Sequence, residues 1–243
     1  MKMNRTALTF TVRPGREPQV ARLLSGYGRP AVDVDSQTRL LRTSVFLGGN
    51  RVVRVIDVVG DLAAAFRHLA AQPEIQAVER SINEHLEQPR DLADPAAARS
   101  FFARATLPRV GGPPQLPEAA AGPGTRHAVL LPVRPGRGEA VAGLLAQRHG
   151  PAAGGPGPAA AGTTVFHRDD VVVWLLDGTE PVGTVLDRTA AAGARADSRA
   201  EPGTRLGDVL TATTDLTTEP GFRALLTTFS MELLTDRRAA LAS

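Results

Sequence analysis

Val12-Arg13-Pro14-Gly15-Arg16 stands a second time as Val133-Arg134-Pro135-Gly136-Arg137, an offset of 121 residues. Outward from that stretch the echo continues. Thr43-Ser44-Val45-Phe46 returns as Thr163-Thr164-Val165-Phe166, and Asp57 as Asp177, both at 120. Asp91-Leu92, Pro95 and Arg99 return as Asp215-Leu216, Pro220 and Arg223, at 124 or 125. Matches in constant order at a nearly constant offset mark one duplicated unit of about 100 residues rather than a short-repeat solenoid.

What each copy must bury decides its architecture. Thr6 to Arg13 alternates, with Leu8, Phe10 and Val12 on one side and Ala7, Thr9 and Thr11 on the other, which predicts a strand. Pro14-Gly15 predicts a turn and Glu17–Gly26 a helix. Strands are expected over Thr38–Leu47 and Arg51–Val59, joined at Gly48-Gly49-Asn50, where Asn50 reads as a turn residue. Asp61 caps a helix over Leu62–Ala71, a helical turn spans Ile75–Glu79, and Ser81–Glu87 reads as a fourth strand. Asp94-Pro95 opens a helix through Phe101 and Phe102. The second copy repeats the order, with strands at Arg126–Val133, Thr163–Phe166, Val171–Leu176 and near Leu206–Ala212. Its helices are expected at Glu139–Gln147, near Val182–Thr189 and within Glu219–Leu234.

The order βαββαβ predicts an α+β fold of two tandem ferredoxin-like repeats, over 5–104 and 126–234. Residues 105–125 read as a Pro/Gly-rich linker and Pro151–Gly162 as a mobile loop. Such a unit places its helices on one sheet face and leaves the other apolar. Packing the two open faces together gives an intramolecular dimeric α/β-barrel with an internal pocket.

Bulk properties exclude several function classes. The 243 residues contain no Cys, so thiolate metal sites and Cys nucleophiles are absent. No apolar run reaches the roughly 18–20 residues that span a bilayer, and Met-Lys-Met-Asn-Arg opens no secretory segment. A cytoplasmic protein with no membrane partner is expected. The sequence pI of about 10.4 reflects arginine, since Lys2 is the one lysine among 28 basic residues. The net charge of +3 is spread without a basic block, which argues against nucleic acid. The five His show no ligand spacing, and neither a phosphate loop nor a Gly-X-Ser-X-Gly elbow occurs. No cofactor and no metal are expected.

Arg5–Phe10, Val12-Arg13-Pro14-Gly15, Leu40-Leu41-Arg42-Thr43-Ser44-Val45-Phe46, Asn50–Val55 and Gln88-Pro89-Arg90-Asp91-Leu92 resemble the SchA/CurD-like family. Its members are encoded in actinobacterial clusters for aromatic polyketides, including spore pigments. The resemblance implies the dimeric α/β-barrel superfamily, which holds cofactor-free quinone-forming monooxygenases and small polyketide cyclases. It carries over no catalytic residue. It implies an aromatic polyketide intermediate as partner, with molecular oxygen if the protein is a monooxygenase. Other tailoring enzymes and further homo-oligomerisation remain open.

Oxidising a polyphenol or anthrone to a quinone without a cofactor needs a base, an oxyanion-stabilising donor and an apolar pocket. His68 is a candidate base, against an ordinary half-exposed helix residue. Arg42 and Arg54, on neighbouring strands, are candidates to meet an oxyanion, against solvation or pairing with acids. Trp174 is a candidate to stack on a polycycle, against core packing, and Tyr27 to line the pocket mouth. Asp57 and Asp177 recur at one structural place and read as structural. Arg54 aligns with Trp174 and His68 with Arg188, so the first copy reads as the working half. Aldol cyclisation needs nearly the same groups, so a cyclase is the rival enzyme. A non-catalytic polyketide-binding scaffold is the third reading, favoured by an aromatic content of only 4%.

Overall fold

A computed structural model describes residues 2–28, 31–92, 94–111, 116, 117, 121, 124–149 and 162–239. The first repeat runs β1 (Lys2–Thr11), α1 (Glu17–Gly26), β2 (Arg39–Gly48), β3 (Arg51–Val59), α2 (Leu62–Ala71), α3 (Pro73–Asn83), α4 (Pro95–Ala105) and β4 (Thr106–Leu107). Two short strands follow, β5 (Arg109–Val110) and β6 (Leu116–Pro117). The second repeat runs β7 (Thr125–Leu130), α5 (Gly138–His149), β8 (Thr163–Arg168), β9 (Val171–Gly178), α6 (Val182–Arg199), α7 (Leu206–Val209) and α8 (Glu219–Thr228), and β10 (Glu232–Arg238) follows it. No helix among the described residues is long and apolar enough to cross a membrane.

The chain forms two compact units. In the first, the strands lie in the order β10-β2-β3-β1-β4, with β6 on the start of β1. The inner order β2-β3-β1-β4, all antiparallel, is that of a ferredoxin-like unit. In the second unit the order is β5-β8-β9-β7. Each sheet takes an edge strand from the segment that follows the other repeat. Leu233 of β10 lies opposite Phe46, and Arg109 of β5 opposite Phe166. Phe46 and Phe166 are equivalent positions, so the exchange is itself duplicated.

Three expectations change. The strand read at Ser81–Glu87 is the end of α3, and only Leu86 bridges back to Val12. The fourth strand is Thr106–Leu107, within the stretch read as linker. Residues near Leu206–Ala212 likewise form α7 and a single bridge from Leu210 to Val133, and the closing helix stops at Thr228 before β10. Most of Pro151–Gly162 lies outside the described residues.

The repeated Val-Arg-Pro-Gly-Arg explains the bridges. Arg13 Nε donates to the Leu86 carbonyl at 2.9 Å, and Arg134 Nε to the Leu210 carbonyl at 2.7 Å. Each arginine therefore clasps the segment after its own helices. Gly15 and Gly136 follow at φ of 82° and 72°, left-handed values that glycine adopts without a Cβ clash. Asp61 and Asp94 cap α2 and α4 as expected, each accepting from the two backbone N–H groups inside the first turn.

The recurring aspartates are half of a repeated ion pair. Arg5 Nε and Nη2 reach the Asp57 carboxylate at 2.7 and 2.9 Å across β1 and β3. Arg126 binds Asp177 in the same way at 2.7 and 3.2 Å. Both Arg5 and Asp57 are buried. Removing one partner of such a pair strands a charge, at a cost of about 3–5 kcal/mol. Asp57→Asn is therefore expected to lower unfolding free energy by that amount in urea titration, and Arg5→Leu with Asp57→Leu together by less.

β10 is fastened by charge. Arg42 Nε and Nη2 bind the Asp236 carboxylate at 2.8 and 2.7 Å, and Ser44 Oγ and Arg238 Nη2 donate to it as well. Burial works to raise the Asp236 pKa, but these donors, Arg42 foremost, outweigh it and hold the value at about 2. The native state thus binds the Asp236 proton less readily than the unfolded chain. The stabilisation is complete above about pH 4 and is lost as pH falls towards 2. Urea midpoints across that window are expected to drop more steeply for the wild type than for Asp236→Asn.

Candidate functional site

The β1–β3 register puts Leu8 opposite Arg54, Phe10 opposite Val52 and Thr6 opposite Ile56. Leu8, Phe10, Arg54 and Ile56 share the sheet face that α2, α3 and α4 cover. They floor a narrow cavity of about 30 Å³, or about 430 Å³ when the open space at its mouth is counted. Phe66, Leu69 and Ala70 from α2, Ile75 and Glu79 from α3, and Phe101 and Phe102 from α4 form its walls, with Arg90 and Leu92 from the α3–α4 loop. The expected pocket was assigned to the opposite sheet faces; this one lies beneath the helices.

Four of the chain's eight phenylalanines line this cavity. Phe66 and Phe102 stack face to face, centroids 5.0 Å apart and planes within 2°. The low overall aromatic content is therefore no measure of the site.

Three ionisable side chains, all at least nine-tenths buried, sit among these rings. Glu79 Oε2 accepts from Arg90 Nε at 3.0 Å and Nη2 at 2.5 Å. Its Oε1 lies 3.8 Å from Arg54 Nη2. Arg90 also covers the rings of Phe10 and Phe101, 4.1 and 4.4 Å from their centroids. Burial pulls the Arg90 guanidinium below its ordinary value, against the pull of Glu79, and the neighbouring Arg54 charge adds to the lowering. Arg54 Nε and Nη2 and Arg90 Nη1 are buried without hydrogen-bond partners. Two guanidiniums against one carboxylate leave an excess positive charge in an apolar enclosure. Such a site favours an anionic ligand, because unsatisfied buried donors cost about 1–3 kcal/mol each.

The other sequence candidates fall elsewhere. Arg42 is three residues from Val45, the cross-strand partner of Arg54. With a period of two, that odd separation sends Arg42 to the opposite face, where Asp236 engages it. His68 is half-buried on α2, contacts the Ala31 carbonyl at 3.2 Å and does not line the cavity. Tyr27, just after α1, is brought to Arg54, whose guanidinium carbon lies 5.8 Å from the ring centroid. Arg237 of β10 stacks on the same ring at 3.8 Å and donates to the Tyr27 and Gly28 carbonyls. Tyr27 therefore links Arg54 to the exchanged strand.

Trp174 holds the position in the second repeat that Arg54 holds in the first, opposite Val129 where the first has Leu8. It is wholly buried and meets Phe222 edge-on at 6.5 Å. Gly193 makes room for that ring: a Cβ there would lie 2.3 Å from Phe222. Indole and phenyl fill the space that the first repeat leaves around its arginines.

Sequence reasoning missed Glu79, Arg90, Phe66, Phe101 and Phe102. Arg90 lies in Gln88-Pro89-Arg90-Asp91-Leu92, a stretch that carries the family resemblance, and that was the available signal. His127 in the second repeat is pulled down by burial, then by Arg223, and contacts Ser230 Oγ at 2.8 Å. Among the described residues no group of acidic or His side chains is arranged to hold a metal.

Residues 3–112 match the model of the SchA/CurD like domain. The chain is 47% identical to "Polyketide synthase CurD" of Streptomyces cyaneus, over 98% of this chain and 65% of that protein. It is 50% identical to "Protein SchA" of Streptomyces halstedii over 71% of this chain and 45% of that protein. The chain thus spans less than two thirds of the length of these curated relatives. The crystal structure of an anthrone oxidase-like protein aligns with 100% of the chain and 97% of its own, at 10% identity and a TM-score of 0.36.

Because Arg54 has buried donors without partners, its removal relieves a cost that ligand binding would otherwise offset. Arg54→Met is expected to keep or raise the urea midpoint while abolishing ligand binding, measured by titration of the same preparation.

Proposed function

The chain belongs to the SchA/CurD-like family, and from that premise we propose that it tailors an aromatic polyketide by cofactor-independent oxygenation of an anthrone-type ring to a quinone. The observation that carries this reading is the pair of arginines with unsatisfied donors beside one carboxylate, inside a phenylalanine-lined cavity of the first repeat.

Glu79 accepts a proton from the activated methylene of the bound ring system. Arg54 and Arg90 hold the enolate oxygen that results, in a water-poor enclosure where such donors act strongly. The electron-rich carbon then bonds to molecular oxygen, and the peroxide so formed loses water. The balance is one methylene and one O2 in, one ring carbonyl and one H2O out, so the substrate supplies all four electrons. No other oxidant or reductant enters. The phenylalanine walls orient the flat rings and keep water from the carbanion.

The cyclase reading draws on the same residues, since an aldol closure also passes through an enolate that Arg54 and Arg90 would hold. It differs in needing no oxygen. A non-catalytic polyketide-binding role would use the Arg54 and Arg90 donors in the same way and differs in needing no base at Glu79.

Purified protein with anthrone in air is expected to consume one O2 for each anthraquinone formed, followed by oxygen electrode and absorbance. Arg54→Met, Arg90→Met and Glu79→Gln are each expected to lower kcat/KM by about 100-fold or more. Equal conversion of a cell-free polyketide mixture without oxygen would replace oxygenation by cyclisation. Variants indistinguishable from wild type in both assays would leave the scaffold reading.

A further inference from the structure

The unsatisfied edge of Arg54 has a shape, and that shape specifies more than a negative charge. Among the described residues, Arg5, Arg42 and Arg126 each present Nε and Nη2 side by side to two oxygens of one planar anion, the carboxylates of Asp57, Asp236 and Asp177. Nε and Nη2 of Arg54 are the same two donors, buried and without hydrogen-bond partners. Glu79 does not fill that role. Its Oε1 stands at 3.8 Å from Nη2, beyond hydrogen-bond distance, while Oε2 is held by Arg90. Arg54 lines a cavity whose other walls are chiefly aliphatic and phenyl.

We propose that the ligand of this cavity is a flat aromatic anion carrying two adjacent coplanar oxygens, held by the Nε–Nη2 fork of Arg54. The inference rests on reading the cavity as the substrate site and narrows the substrate to a chelating class. Two functional groups share this chemistry: a ring carboxylate, and an enolised 1,3-diketone of the kind formed when a hydroxyl and a ketone flank one ring edge. A lone phenolate oxygen engages only one of the two donors and leaves the other buried and unsatisfied. The arginine is specific to this role, because a lysine at the same place offers a point charge and no fork.

The test is equilibrium titration of the full chain without oxygen, so that binding is read apart from turnover. The probes are 2-naphthoate for the carboxylate class, 2-acetyl-1,3-indandione for the enolised diketone class and 2-naphthol as the single-oxygen control, all titrated at an alkaline pH where the naphthol is ionised as well. At least one two-oxygen anion is expected to bind about tenfold or more tightly than 2-naphthol, and the tighter of the two identifies the group. Arg54→Lys and Arg54→Gln are both expected to erase that preference, with thermal unfolding confirming that each variant is folded. A wild type that does not distinguish the probes, or an Arg54→Lys variant that retains the preference, overturns the fork. Failure of the oxygen assay with the binding preference intact would remove the oxygenation reading and leave this one standing.

Discussion

The pairing of β1 with β3 is the constraint on which the site depends. Because side chains alternate along a strand, a slip of one residue would put Leu8 opposite Val53 or Val55 and leave Leu8 and Arg54 on different faces of the sheet. The Arg5–Asp57 pair sits at one end of that ladder and fixes its register with two hydrogen bonds between buried groups. Hydrophobic patterning alone would specify the register less firmly, since Val52, Val53, Val55 and Ile56 are all apolar and all buried. The same device at Arg126 and Asp177 fixes the equivalent ladder of the second sheet. The duplicated aspartates therefore preserve the alignment that places an arginine in one cavity and a tryptophan in the other core.

That exchange of arginine for tryptophan is how one fold yields two kinds of unit. In the second repeat, Trp174 and Phe222 complete a core whose Gly193 has no space for a methyl group. In the first, Arg54 lines a cavity together with four phenylalanines, Glu79 and Arg90. Close packing maximises contact and leaves nothing to bind. A cavity with buried charge forgoes part of that stability, and natural proteins retain such features where a ligand restores the balance.

The duplication, the strand–helix order and the caps at Asp61 and Asp94 were legible because they follow from local chemistry: alternation, turn residues and side-chain acceptors before a helix. The fourth strand was not. Thr106–Leu107 is two residues long and gains its identity from pairing with β1, which no local pattern encodes. Ser81–Glu87 misled because its alternation is short and Ile82 and Leu86 are core residues of a helix end and a bridge. Arg54 was singled out as a basic residue on a predicted strand beside that of Arg42, and its mismatch with Trp174 pointed to the first copy as the working half. Glu79 and Arg90 were not, because they join the site through α3 and the following loop, and neither has a counterpart that the offset of 120 exposes.

The exchanged strand ties these threads together. β10 arrives after the second repeat, yet its Asp236 engages Arg42 and its Arg237 stacks on Tyr27, whose ring lies beside Arg54. The first repeat alone therefore lacks part of the framework around its own cavity. A duplicated chain that ended before β10 would retain the β1–β3 register and the Arg5–Asp57 pair, but Arg42 would stand without its carboxylate and Tyr27 without Arg237. The second repeat, whose own core is filled, contributes to the candidate site through the strand that follows it. The proposed binding in the first unit would by this route depend on a strand that only the longer, duplicated chain supplies.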